Sequence, residues 1–139
     1  MSLFSTMAIS GSGMSAESER LSATASNLAN ANSAVNSGGQ PFKAREVVFQ
    51  AVAAGDGGDA ANSVGMAGVR VAAVVESDAP ERSVYDPGST FADANGYVKM
   101  PNVNAVDEMV NMISAQQDYQ ANLEAFNVAK TLAMRTLTI

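Results

Sequence analysis

Asn104-Ala105-Val106-Asp107-Glu108-Met109-Val110-Asn111-Met112-Ile113 opens a run that reaches Ile139 without a glycine or proline, and its reading decides the fold. Asn104 has the character of a helix N-cap, Asp107 stands three residues on as a capping-box-like partner, and Glu108 suits the positive pole of a first turn. Met109, Gln116, Leu123, Lys130 and Leu137 recur every seven residues. Met112, Tyr119, Phe126 and Ala133 stand three after the first four of these, which completes a heptad frame. The frame predicts one helix of about 34 residues, roughly 50 Å long at about 1.5 Å per residue. That is more than a domain of this size can cover by itself. Lys130 and Arg135 near its end complement the negative pole of the helix.

Working back to the other end, Met7, Met14, Leu21 and Leu28 also recur every seven residues, with Gly11, Ser18, Ala25 and Asn32 four after each. Large and small residues alternate along one face, a narrow seam rather than the broad stripe of a globular core helix. Such a helix is marginal alone, and Gly11 and Gly13 each weaken it by about 1 kcal/mol relative to Ala. Ser15 to Ala31 is expected to be its firmest part, with the first dozen residues frayed in the free chain. The helix is expected to stop before Ser37-Gly38-Gly39-Gln40-Pro41.

Between the helices the pattern turns β-branched and aromatic. Phe42 to Val52 reads as one strand, Val69 to Val75 as a second, and Tyr97-Val98-Lys99-Met100 as a short third. Gly55-Asp56-Gly57-Gly58-Asp59 reads as a linker, and Pro80, Asp86-Pro87-Gly88 and Asn95-Gly96 mark turns. The expected architecture is α+β: an N-terminal helix in residues 1–37, a small β-rich domain in 38–102 and a C-terminal helix in 103–139. Seams at both ends allow a self-contained helical pair or pairing between molecules. The excess helix length, with Gln116 and Lys130 at seam positions, favours assembly, because polar seam residues more often specify register or partner.

At 139 residues the chain is long enough for one modest domain. Much of its 47% hydrophobic content is alanine, which buries little area per side chain. A net charge of −6, with scattered Lys and Arg, argues against nucleic acid or an anionic membrane as the main partner. Histidine and cysteine are absent, which removes the usual general base, the thiolate nucleophile and the commonest metal ligands. The start, Met1-Ser2-Leu3-Phe4-Ser5-Thr6-Met7, has no basic residue before Arg20 and fits a cleavable secretory signal poorly. Nothing in the sequence matches a membrane span, so no direct membrane insertion is expected.

Candidate chemistry is thin. Asp93-Ala94-Asn95-Gly96 resembles positions 3 to 6 of an EF-hand loop, but Phe91 and Asn102 then stand where carboxylates are required, so a plain turn is the better reading. The many serines have no partner base, and the Glu17/Glu19 and Asp107/Glu108 pairs read as solvated charge. The Gly55 to Gly58 stretch lacks the Lys-Ser/Thr of a phosphate loop. No catalytic residue, cofactor or metal is expected. Asn27 and Asn30 share a helix face, and either terminate the helix or form a polar seam with a neighbour.

Ala25-Ser26-Asn27-Leu28-Ala29-Asn30-Ala31-Asn32-Ser33 resembles the N-terminal motif of the flagellar basal-body rod, hook and related axial proteins. Gln40-Pro41-Phe42-Lys43-Ala44, Tyr85-Asp86-Pro87-Gly88, the run Asn95 to Val103, and Glu108 to Ala115 resemble a proximal-rod member in particular, as do Tyr119-Gln120-Ala121-Asn122 and Ala129-Lys130-Thr131-Leu132. Gly38-Gly39-Gln40-Pro41-Phe42 stands where other axial proteins carry a shorter Gly-Tyr turn. The resemblance implies a structural subunit, exported without a cleavable signal through the flagellar type III apparatus and assembled in the periplasmic segment of the basal body. Its partners would be copies of itself, other flagellar rod proteins, the MS-ring/rod junction and, during secretion, the export apparatus. Subunit contacts would fall on Met7, Met14, Leu21, Asn27, Leu28 and Asn30. Their C-terminal counterparts would be Met109, Met112, Ile113, Tyr119, Leu123, Phe126 and Leu137. Another axial rod subunit, a non-flagellar coiled-coil adaptor and an enzyme completed by a partner chain are the alternatives.

Overall fold

The computed structural model describes residues 3–35, 39–53 and 67–137. Helix α1 (Leu3–Asn30) and helix α2 (Ala105–Leu137) enclose four strands in sequence: β1 (Arg45–Ala53), β2 (Ala67–Glu76), β3 (Arg82–Tyr85) and β4 (Tyr97–Met100). The fold is α+β, as expected. The Gly55 to Asp59 linker and the expected boundary at 37/38 lie outside the described residues.

Helix α1 is continuous from Leu3 through Gly11 and Gly13, so its regular part extends well before Ser15. Packing against α2 outweighs the weak local propensity there. The helix also stops at Asn30, earlier than the breaker cluster that begins at Ser37. The Ser33 N–H (3.1 Å) and hydroxyl (2.9 Å) both donate to the Asn30 carbonyl, and so close the last turn. A Cβ on Gly11 would meet no atom within 4 Å. Gly11→Ala is therefore expected to raise stability by about 1 kcal/mol, read as a higher urea midpoint at unchanged m.

At the start of α2, Asn104 acts as the N-cap. Its Oδ1 accepts the Val106 N–H (3.1 Å), and its carbonyl accepts the Glu108 N–H (3.0 Å). The Asp107 carboxylate accepts from the Asn104 side-chain amide (2.7 Å) rather than from its backbone, a variant of the expected box.

Strands β1 and β2 form an antiparallel hairpin, from Arg45↔Glu76 to Ala53↔Ala67, with a register shift between Val48 and Phe49. Helix α1 lies against it: the Ser12 hydroxyl accepts the Val69 N–H (3.1 Å) while donating to the Ile9 carbonyl (2.7 Å). The first strand starts at Arg45 rather than Phe42, because the Ala44 N–H is taken by Asn102 Oδ1 (2.7 Å) and Phe42 packs into the core. Strand β3, a stretch the sequence reading assigns to no element between the turns at Pro80 and Asp86, pairs with β4 from Arg82↔Met100 to Tyr85↔Tyr97. Val35 bridges to Lys99 and ties this second sheet to the end of α1.

The core is small. Ala31, Ala44 and Val103 cluster with Phe42 and Ala105 where α1 ends and α2 begins, and Val98 and Pro101 are fully buried nearby. In the β3–β4 turn, Asp93 Oδ1 accepts the N–H groups of Asn95 (2.8 Å) and Tyr97 (2.9 Å). Gly96 sits at φ 83°, and a Cβ there would stand 2.9 Å from the Tyr85 ring. Gly96→Ala is expected to cost about 2 kcal/mol and lower the Tm by roughly 6 °C.

Candidate assembly interface

As α1 advances, its contacts step backward along α2. Gly13 meets Asn122, Arg20 pairs with Asp118 (3.5 Å), and Asn27 donates to Glu108 (3.1 Å). The helices are therefore antiparallel. The face that α2 turns to α1 carries Glu108, Met112, Ala115, Tyr119, Asn122, Phe126, Ala129 and Ala133, all half-buried or buried.

That face corrects half of the expected frame. The series Met112, Tyr119, Phe126 and Ala133 does meet α1, but its companion is Glu108, Ala115, Asn122 and Ala129, one residue before Met109, Gln116, Leu123 and Lys130. Both choices keep a spacing of three and four, so periodicity alone does not separate them. Small residues decide the matter by letting the helices approach: Ala115 is 0% exposed, and Gly13 has no room for a Cβ, which would lie 2.7 Å from Asn122 Oδ1. Met109, Ile113 and Leu123 face outward instead.

On α1 the buried positions are Ser10, Gly13, Ala16, Thr24 and Asn27. Met7, Met14, Leu21 and Leu28 lie beside them, half-buried. Leu137 is the last residue of α2.

Asn27, 2% exposed, has its amide engaged within the chain. Its Nδ2 donates to the Arg45 carbonyl (2.9 Å) and to Glu108 Oε2 (3.1 Å), and its Oδ1 accepts the Arg45 N–H (2.8 Å). One side chain thus joins α1, β1 and α2. Asn30 bonds back to the Ser26 carbonyl (2.9 Å) and belongs to the helix end. Asn102 makes a second joint, accepting from Ala44 and donating to the carbonyls of Ser77 (3.2 Å) and Ala79 (3.0 Å). Sequence reasoning overlooks Asn102, Ser12 and Asn122. Their only signal is that an amide or hydroxyl inside a seam or beside a strand must find backbone partners.

Helix α2 packs on α1 and on no strand among the described residues. Its far side is open, and carries Val106 at 66%, Val110 at 60% and Ile113 at 57% exposure. No described helix is long and apolar enough to cross a membrane.

Residues 7–36 match the flagella basal body rod protein family, and residues 94–139 match the C-terminal family of flagellar basal body rod FlgEFG proteins. The two matches cover α1 from Met7 onward, β4 and α2. Flagellar basal-body rod protein FlgC of Salmonella typhimurium (strain LT2) is 51% identical over 139 residues, spanning 100% of this chain and 98% of the relative. The chain belongs to the FlgC family of flagellar basal-body rod proteins. FlgC of Escherichia coli O157:H7 is 49% identical over the same 139 residues, again 100% of this chain and 98% of the relative. FlgC of Buchnera aphidicola subsp. Acyrthosiphon pisum is 40% identical over 141 residues, with the same shares. Likeness to FlgC therefore extends through the whole chain, including the strands between the two family segments.

Proposed function

We propose that this chain is a non-enzymatic structural subunit of the flagellar proximal rod, which self-assembles through its terminal helices into the axial drive shaft. One observation carries the assembly step: α2 is covered by α1 on one side only, and the other side holds an apolar run that water covers poorly. Full-length similarity to FlgC supports the place in the basal body. Copies of itself, other rod proteins and the MS-ring/rod junction are its proposed partners, with the export apparatus during secretion. Met109, Ile113 and Leu123 are the proposed contact residues on the open side of α2. Met7, Met14, Leu21 and Leu28 are those beside the seam on α1. Deleting the gene and imaging isolated basal bodies tests the reading. Truncated or absent rods are expected, and rods of normal length would overturn it.

A further inference from the structure

Asn95-Gly96, in the turn before β4, is the only Asn-Gly pair in the sequence, and its chemistry is separate from anything the helices do. A backbone amide nitrogen can attack the side-chain amide carbon of an asparagine that precedes it. Glycine favours the attack, because no Cβ hinders the approach and its backbone turns freely. Asn95 is exposed, so water has access to it.

The folded turn withholds the nucleophile. The Gly96 N–H donates to the Asp93 carbonyl (3.0 Å), and the attacking nitrogen must first lose that proton. Asp93 Oδ1 holds the amides on either side, those of Asn95 (2.8 Å) and Tyr97 (2.9 Å). The Asp93 N–H donates to the Tyr97 carbonyl (2.8 Å), and the Gly96 carbonyl accepts the Asp86 N–H (2.9 Å). With Gly96 at φ 83°, these bonds fix the peptide plane that has to rotate before Gly96 N reaches Asn95 Cγ.

We propose that Asn95 is a deamidation site gated by folding, closed while Asp93 holds the turn and open once the chain unfolds. In the open chain Gly96 N bonds to Asn95 Cγ, and the Cγ–Nδ2 bond breaks. The Gly96 amide proton passes through water to the leaving group, which departs as ammonia. One water then opens the resulting succinimide at either carbonyl. Opening at Cγ leaves the aspartyl form, and opening at the main-chain carbon gives an isoaspartyl link. The isoaspartyl link adds a methylene to the main chain between Asp93 and Tyr97. That extra length conflicts with the Tyr85↔Tyr97 register, so a chain that has reacted no longer closes this turn.

The test incubates the full chain at mildly alkaline pH, in buffer and in enough urea to unfold it. Peptide mass spectrometry reads the mass gain at Asn95, and isoaspartyl methyltransferase labelling counts the isoaspartyl product. Deamidation is expected to be at least about tenfold slower in the folded chain, because the turn must first open. Urea below the unfolding transition controls for the denaturant, and equal rates in the folded and unfolded chain would overturn the gate. In buffer, Asp93→Ala is expected to move the rate toward the unfolded value. Asp93→Asn keeps an acceptor oxygen without the charge and is expected to stay slow. Circular dichroism checks that both variants fold. An unchanged rate in Asp93→Ala, or equally fast reaction in Asp93→Asn, would overturn the role of the Asp93 hydrogen bonds.

Discussion

Replacing Asn27 with alanine is expected to lower the stability of the chain by about 3 kcal/mol, from the loss of partly buried hydrogen bonds. The Arg45 N–H and carbonyl lose the amide that satisfies both, and Glu108 loses a donor. The cavity is small, so little relief comes from repacking, and entry of water would loosen the start of β1. Asn27→Asp separates shape from chemistry. The aspartate keeps an acceptor for the Arg45 N–H, but turns its other oxygen toward a carbonyl and the Glu108 carboxylate. It is expected to be no more stable than the alanine variant. Urea unfolding followed by circular dichroism reads both, and a loss below about 1 kcal/mol for Asn27→Ala would refute the joint.

Gly13→Leu is expected to be comparably damaging, at about 3 kcal/mol, because overpacking adds to the forced separation of two long helices. Even a methyl group at this position would stand 2.7 Å from Asn122 Oδ1 and 2.9 Å from its Cγ. Gly11→Leu, two residues away in open space, is the control and is expected to be mildly stabilising, as Gly11→Ala is. If Asn122 is the obstacle, Asn122→Ala in the Gly13→Leu chain should recover part of the loss. A double-mutant cycle measures that recovery, and strict additivity would show that Gly13 is required for another reason.

Much of this fold is legible from residue patterns, because its main signals are local. The absence of breakers after Pro101 and the capping residue Asn104 predict α2 closely. Tyr97 to Met100 announces β4 through its Asn-Gly turn. Strand β3 is not legible, since Arg82-Ser83-Val84-Tyr85 becomes a strand only by pairing with β4. The contact face of α2 is half legible. Met112, Tyr119 and Phe126 are large enough to be seen, whereas their companions Ala115 and Ala129 matter through what they lack. Hydrophobic patterning favours Met109 and Leu123 over alanines, and close helix approach reverses that preference. The role of Asn27 depends on Arg45 and Glu108, which no local rule brings to it.

The polar members of the helix seam have a consequence for alignment. Apolar heptads tolerate a slide of one repeat, since each large residue merely exchanges one neighbour for another. Here a seven-residue slide would set Asn122 against Arg20, leave a hole over Gly13, and take Glu108 away from Asn27. That slide thus strands a hydrogen-bonding group and leaves a void, both of which the native alignment avoids. Two helices with so little apolar area between them are held loosely in energy but strictly in position, so each copy presents its outward face at the same height.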